Sequence, residues 1–106
     1  MTKIKVFHKE GHIMELEVKG HTGFGEEGTD IVCAAISALT QSALMGLKEV
    51  AKLNVESSIG EGYLSFKISE TNEKSDAILD TLYIALRDLA NGYKRHIKME
   101  DCKYVY

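Results

Sequence analysis

The sequence predicts an α+β domain: two β-hairpins, each followed by a helix, and a closing strand, in the order ββαββαβ. Three observations carry this reading. Apolar residues alternate with period two over 2–8, 13–20 and 63–69. The spacing becomes helical from Ile31 and again from Asn72. Strands and helices do not alternate one for one, so a mostly antiparallel sheet packed with two helices fits better than a parallel α/β sheet. With 106 residues, 44% of them hydrophobic, 27% charged and none proline, residues 1–106 form a single compact domain with no linker or repeat. The net charge is −3 and no basic patch dominates, which argues against nucleic acid as a direct partner. A slightly acidic surface tolerates basic partners.

In the first strand Ile4 and Val6 share one face, with Lys3, Lys5 and Phe7 on the other. A turn at Lys9-Glu10-Gly11-His12 leads to a second strand, in which Met14, Leu16 and Val18 oppose Glu15, Glu17 and Lys19. The first helix is expected to open after Asp30 as N-cap and to end near Leu53-Asn54. Its run Ile31 to Leu47 holds seventeen residues without a charge and is apolar nearly all round, which predicts burial on more than one side. That run falls short of the roughly 20 residues that span a bilayer, so no membrane is expected. The N-terminus shows no secretory core, which places the protein in the cytoplasm with reduced thiols.

The second hairpin pairs Val55–Ser58 with Tyr63–Ser69 across Ile59-Gly60-Glu61-Gly62. Asn72 opens an amphipathic helix with the stripe Ile78, Leu79, Leu82, Leu86 and Leu89, and Asn91-Gly92 reads as a left-handed stop. The final strand runs through Ile97 and Met99. Its apolar parity then slips to Cys102 and Tyr104, which predicts a bulge near Glu100-Asp101.

Residues 20–37 carry the chemistry. A strand ends at His21, a glycine-rich loop runs from Thr22 to Thr29, and a helix opens with Cys33 in its first turn. First-turn N–H groups lack intrahelical acceptors and the macrodipole is positive there, which favours a thiolate. Asp30 opposes this unless its carboxylate caps the helix or orients a histidine. His21 lies twelve residues upstream, and the loop between can return it to the sulfur. A thiolate–imidazolium pair is the unit of cysteine catalysis: sulfur attacks a carbonyl and the imidazolium protonates the leaving amine. The backbone N–H groups of Cys33 and Ala34 can hold the oxyanion. Ser37, one turn on, shares the face of Cys33.

Each of these residues also has an ordinary reading. A cysteine in an apolar helix is a small hydrophobe, a histidine at a strand end is a surface residue, and an aspartate before a helix is a cap. Their arrangement around one loop is what raises the catalytic case. Gly23-Phe24-Gly25-Glu26-Glu27-Gly28 imitates a dinucleotide fingerprint, but Glu26 and Glu27 would repel a pyrophosphate and the preceding strand belongs to a hairpin. Gly23, Gly25 and Gly28 instead allow several backbone states, as in a substrate-binding lid, and the acidic pair suits a basic peptide. His8 and His12 flank a turn, where solvation is a better reading than a metal. Cys102 is expected to be buried packing, and no Cys33–Cys102 disulfide is expected.

The segment resembles the Prp family of bacterial ribosomal-processing cysteine proteases. The likeness rests on Gly20-His21, Gly25, Gly28, Asp30-Ile31-Val32-Cys33-Ala34 and Ser37, with the twelve-residue His-to-Cys interval. Thr22 departs from the alanine usual after the histidine. The resemblance implies removal of the N-terminal extension of a basic large-subunit ribosomal protein, the twenty-seventh, with the cut after a pair of phenylalanines. It implies Cys33 as nucleophile, His21 as its partner, Asp30 as a supporting residue, a homodimer, and neither metal nor cofactor. The competing classes are a non-catalytic ribosome-assembly or interaction module of the same fold, and a redox or acyl-transfer enzyme using Cys33. The second lacks any cofactor motif.

Overall fold

The structure, a computed structural model, describes residues 1–20 and 30–105. Strands β1 (Thr2–Lys9) and β2 (His12–Lys19) form the first hairpin, and helix α1 spans Asp30–Glu49. Strands β3 (Val55–Gly60) and β4 (Tyr63–Ile68) form the second hairpin, followed by α2 (Glu73–Gly92) and β5 (Ile97–Lys103). The five strands make one sheet in the order β3-β4-β2-β1-β5. Every pairing is antiparallel except β1 with β5. The order ββαββαβ is as the alternation predicts.

Both helices lie on one face of the sheet, as the alternation requires. Ile4, Val6, Leu16, Val18, Leu64, Phe66 and Ile68 point inward to meet Val32, Ile36, Leu44 and Leu47 of α1 and Leu79, Leu82 and Leu86 of α2. The other face carries Lys3, Lys5, Glu15, Glu17 and Lys67, the polar partners in each alternation. Leu47 and Leu86 are fully buried, so truncating either to alanine costs about 2–5 kcal/mol. The helices approach closely at Gly46, where a Cβ would stand 3.2 Å from Ile78 Cδ1.

Several local expectations need correction. In β2 Met14 is an extra residue, because Phe7 pairs with Glu15 while His8 pairs with Ile13. This bulge lets the consecutive Ile13 and Met14 both be buried. In β5 the ladder to β1 runs unbroken through Glu100 and Asp101, so the bulge expected there is not present. The apolar parity slips because Cys102 stands beside Phe7 on the uncovered face. It is half-buried there rather than core packing.

Helix α1 ends at Glu49, not near Leu53. Lys52 takes φ 59°, and the Leu53 amide donates back to the Leu47 carbonyl at 3.0 Å. Residues Ile31–Glu49 are long and apolar enough, by length and composition, to cross a membrane, and the core accounts for one stripe of that apolarity. Burial is confined to that stripe, since Ile31 and Met45 are 68% and 56% exposed. Helix α2 starts as predicted. The Ser75 N–H donates to Asn72 Oδ1 and the Asn72 N–H to Ser75 Oγ, both at 2.8 Å, a reciprocal cap. Its end differs: the cap residue is Tyr93 at φ −131°, with no left-handed residue at Asn91 or Gly92.

Candidate active site

Gly20 follows β2 with φ +90°, and its amide donates to the Gly62 carbonyl at 2.8 Å. A Cβ on Gly20 would stand 2.6 Å from the Met1 carbonyl oxygen. The first residue of the Gly20-His21 motif is therefore glycine for two reasons, left-handed backbone and close approach. His21, Gly23, Gly25, Glu26, Glu27 and Gly28 lie outside the described residues, as does the side chain of Asp30.

Helix α1 begins at Asp30 itself, one residue earlier than an N-cap reading places it. Cys33 is thus its fourth residue, at the end of the first turn and near the positive end of the helix macrodipole. Val32 and Ile36 anchor this turn to the core, and the half-buried Cys33 lies between them in the chain. Cys33 and Cys102 are both thiols.

Cys33 lines a cavity of about 200 Å³ between α1 and the β3–β4 end of the sheet. Ser37, expected on the same face, lines it too, as do Ile36, Thr40 and Gln41 further along the helix. The sheet contributes Thr2, Val18, Ile59, Gly60, Tyr63 and Leu64, with Gly20 just after β2 and Gly62 from the turn. Thr40 is tied down by its hydroxyl, which donates to the Ile36 carbonyl at 2.8 Å. Thr2 is only 2% exposed, and its Oγ1 has no hydrogen-bond partner among the described residues.

The structure therefore brings Cys33, Ser37 and Gly20 to one cavity. Sequence reasoning overlooked Thr40 and Gln41, although their spacing of seven and eight from Cys33 places them on its helical face. It also overlooked Ile59 and Gly60, which were read as turn residues. No local signal marks them, because their place beside Cys33 arises from long-range pairing.

The opposite end of the sheet is polar and closed by hydrogen bonds. His8 Nε2 donates to Asp101 Oδ1 at 2.8 Å, and the Tyr83 hydroxyl donates to Asp101 Oδ2 at 3.0 Å. Burial pushes the Asp101 carboxyl up, but these two hydrogen bonds, with the charges of His8 and Arg87, outweigh it and hold the group below its usual range. Burial and the bond to Asp101 raise Tyr83. His12 Nδ1 donates to Asp76 Oδ1 at 2.9 Å, and that bond raises the histidine. His8 and His12 thus each pair with a carboxylate instead of flanking a merely solvated turn.

The family model described as Cysteine protease Prp matches residues 1–98. A ribosomal processing cysteine protease Prp of Bacillus subtilis is 27% identical over 103 residues, 91% of either chain. That of Mycoplasma pneumoniae is 31% identical over 101 residues, 95% of either chain. A crystal structure from Streptococcus mutans superposes with a TM-score of 0.88 at 25% identity, covering 98% of this chain and 96% of that one. The essential ribosomal processing protease Prp of Staphylococcus aureus, solved with a substrate peptide, shares the fold with a TM-score of 0.85 at 22% identity. It is covered over 99% of its length, against 95% of this chain.

Proposed function

The chain belongs to the Prp family of cysteine proteases, and from that premise we propose that it removes the N-terminal extension of a basic large-subunit ribosomal protein, cutting after a Phe-Phe pair. The observation that carries this reading is Cys33 in the first turn of α1 on the wall of a cavity between α1 and the β3–β4 end of the sheet. In the proposed cycle Cys33 Sγ attacks the scissile carbonyl carbon. The oxyanion forms against unpaired backbone N–H groups at the start of α1. His21 as imidazolium gives its proton to the leaving amine, which breaks the peptide bond and leaves a thioester. Water, deprotonated by His21, then attacks the thioester, releases the acid and restores the thiolate–imidazolium pair.

Asp30 and Ser37 support this pair, and the segment with Gly23, Gly25, Glu26, Glu27 and Gly28 is assigned to substrate binding as a lid. The chain is assigned to the cytoplasm and to a homodimer. The exposed Ile31 and Met45 and an apolar groove of about 430 Å³ between α1 and α2, lined by Leu39, Gly46, Ile78 and Ala85 among others, support the dimer.

The test is intact-mass spectrometry of the purified ribosomal precursor after incubation with wild type and with Cys33→Ser. The expected result is a product shortened at the aromatic pair by wild type only. Cleavage by both proteins would exclude Cys33 as nucleophile. Cleavage by neither, with both folded, would exclude this substrate.

A further inference from the structure

We propose that the peptide substrate docks as an added β-strand along the open edge of β3, which carries it past Cys33 with an uncharged side chain in the cavity beside Ile59. This rests on the proteolytic reading above and specifies how that site takes its substrate.

The sheet has two edges and they differ in kind. Four of the seven residues of β5 are charged: Lys98, Glu100, Asp101 and Lys103. Charges on an edge strand discourage pairing with another chain. Strand β3 has one charge, Glu56, in Val55-Glu56-Ser57-Ser58-Ile59-Gly60, and five of its six residues are exposed. It is the undefended edge.

Its hydrogen-bonding direction follows from the hairpin. Gly60 pairs with Tyr63 across a two-residue turn, Glu61-Gly62, in which Gly62 takes φ 68°. The pair that closes such a turn exchanges its hydrogen bonds, and the ladder then alternates. Ser58 and Glu56 therefore bond to β4, while the N–H and C=O groups of Ser57 and Ile59 point away from the sheet. They are the groups that receive an added strand.

The side-chain direction links this edge to the nucleophile. Ile59 stands opposite Leu64, whose side chain is buried on the helix-covered face. Ile59 thus shares that face, yet it is 57% exposed, because α1 does not reach over the end of β3. In that uncovered space Ile59 and Leu64 form one cavity wall, with Cys33 and Ile36 opposite. A strand paired at Ser57 and Ile59 passes the mouth of this cavity. Its side chains alternate, so those on one face enter the cavity and the others meet solvent. Among the described residues the wall is mainly apolar and carries no charged side chain, which favours an uncharged side chain at the entering position.

The test is amide hydrogen exchange by NMR on full-length Cys33→Ala protein, with and without a synthetic peptide spanning the Phe-Phe site of the ribosomal extension. Slowing at the Ser57 and Ile59 amides, with β5 unchanged, is the expected result. Peptide binding without protection at these two amides overturns the proposal, even if wild type cuts the precursor; no binding at saturating peptide overturns it too. Protection without cleavage by wild type upholds the docking mode and defeats the proteolytic reading instead. A second readout uses Ser57→Pro, which deletes one outward N–H donor and spares the β3–β4 ladder. KM for the peptide is expected to rise roughly threefold to tenfold, with the rate of Cys33 alkylation by iodoacetamide unchanged. If that variant does not fold, single N-methylation along the peptide replaces it. A rise in KM at every second position is expected, and uniform KM along the series overturns the proposal.

Discussion

Cys33 and Cys102 are the same chemical group at similar half-burial, yet their settings differ in every respect that matters for reactivity. Cys33 occupies the first turn of a twenty-residue helix, faces a cavity and lies beside an undefended strand edge. Cys102 lies within an edge strand, beside Phe7 on the uncovered face of the sheet. Its neighbour Asp101 already receives two hydrogen bonds, from His8 and Tyr83. Exposure therefore does not separate the two thiols. A helix start and a cavity wall do.

The largest expected effect comes from exchanging each thiol in turn. Cys33→Ala should lower kcat for precursor cleavage by about a thousandfold or more. Cys102→Ala should leave kcat and KM unchanged. Steady-state assays on the two proteins decide the matter, and an active Cys33→Ala would erase the contrast between the sulfurs.

Next in size is Gly20, which follows β2 and lines the cavity. Gly20→Ala would force a Cβ to within 2.6 Å of the Met1 carbonyl at a left-handed position. A loss of roughly 1–3 kcal/mol is expected in urea denaturation. Unchanged stability would mean that the ends of β1 and β2 adjust without cost.

A smaller effect concerns the acidic pair between His21 and Cys33. Glu26→Gln with Glu27→Gln should raise KM for the basic substrate and flatten its dependence on salt, because screening weakens a charge contact. Equal KM at low and high salt in both proteins would remove these residues from substrate binding.

The smallest effect belongs to the Cys102 end. Asp101 is held below its usual 3.8 in the folded state, so its contribution to stability is present above that value and is lost as pH falls through the folded pKa. The gap in urea midpoint between wild type and Asp101→Asn should therefore be largest near neutral pH and shrink in acid. A gap that widens in acid would reverse the sign. Activity near neutral pH should not follow this titration, since the group lies across the sheet from the cavity.

Much of this molecule was legible from local pattern. Alternation marked β1, β2 and β4 and told which face each would bury, because a pleated strand has only two faces. Asn72 announced α2 through a side chain that caps its own helix three residues on. The helical register after Asp30 put Cys33 in a first turn and Ser37 on its face, and the glycine-rich segment before it pointed to one family. These features depend on residues within a few positions of one another, so the order of amino acids suffices to read them.

Other features needed the folded chain. Local pattern reads Cys102 as buried packing, but the parallel register with β1 places it beside Phe7 on the outer face. Met14 proved to be a bulge only through its pairing with β1. The stop of α1 came early because of Lys52, a non-glycine residue in left-handed backbone that no propensity marks. Gly20 owes its identity to Met1, nineteen positions away, and Ile59 owes its place in the cavity wall to a strand order that sets β3 at the margin. Each such contact joins residues far apart in the chain. Which strands become neighbours depends on how all the apolar faces bury together, and that sum is not contained in any one segment.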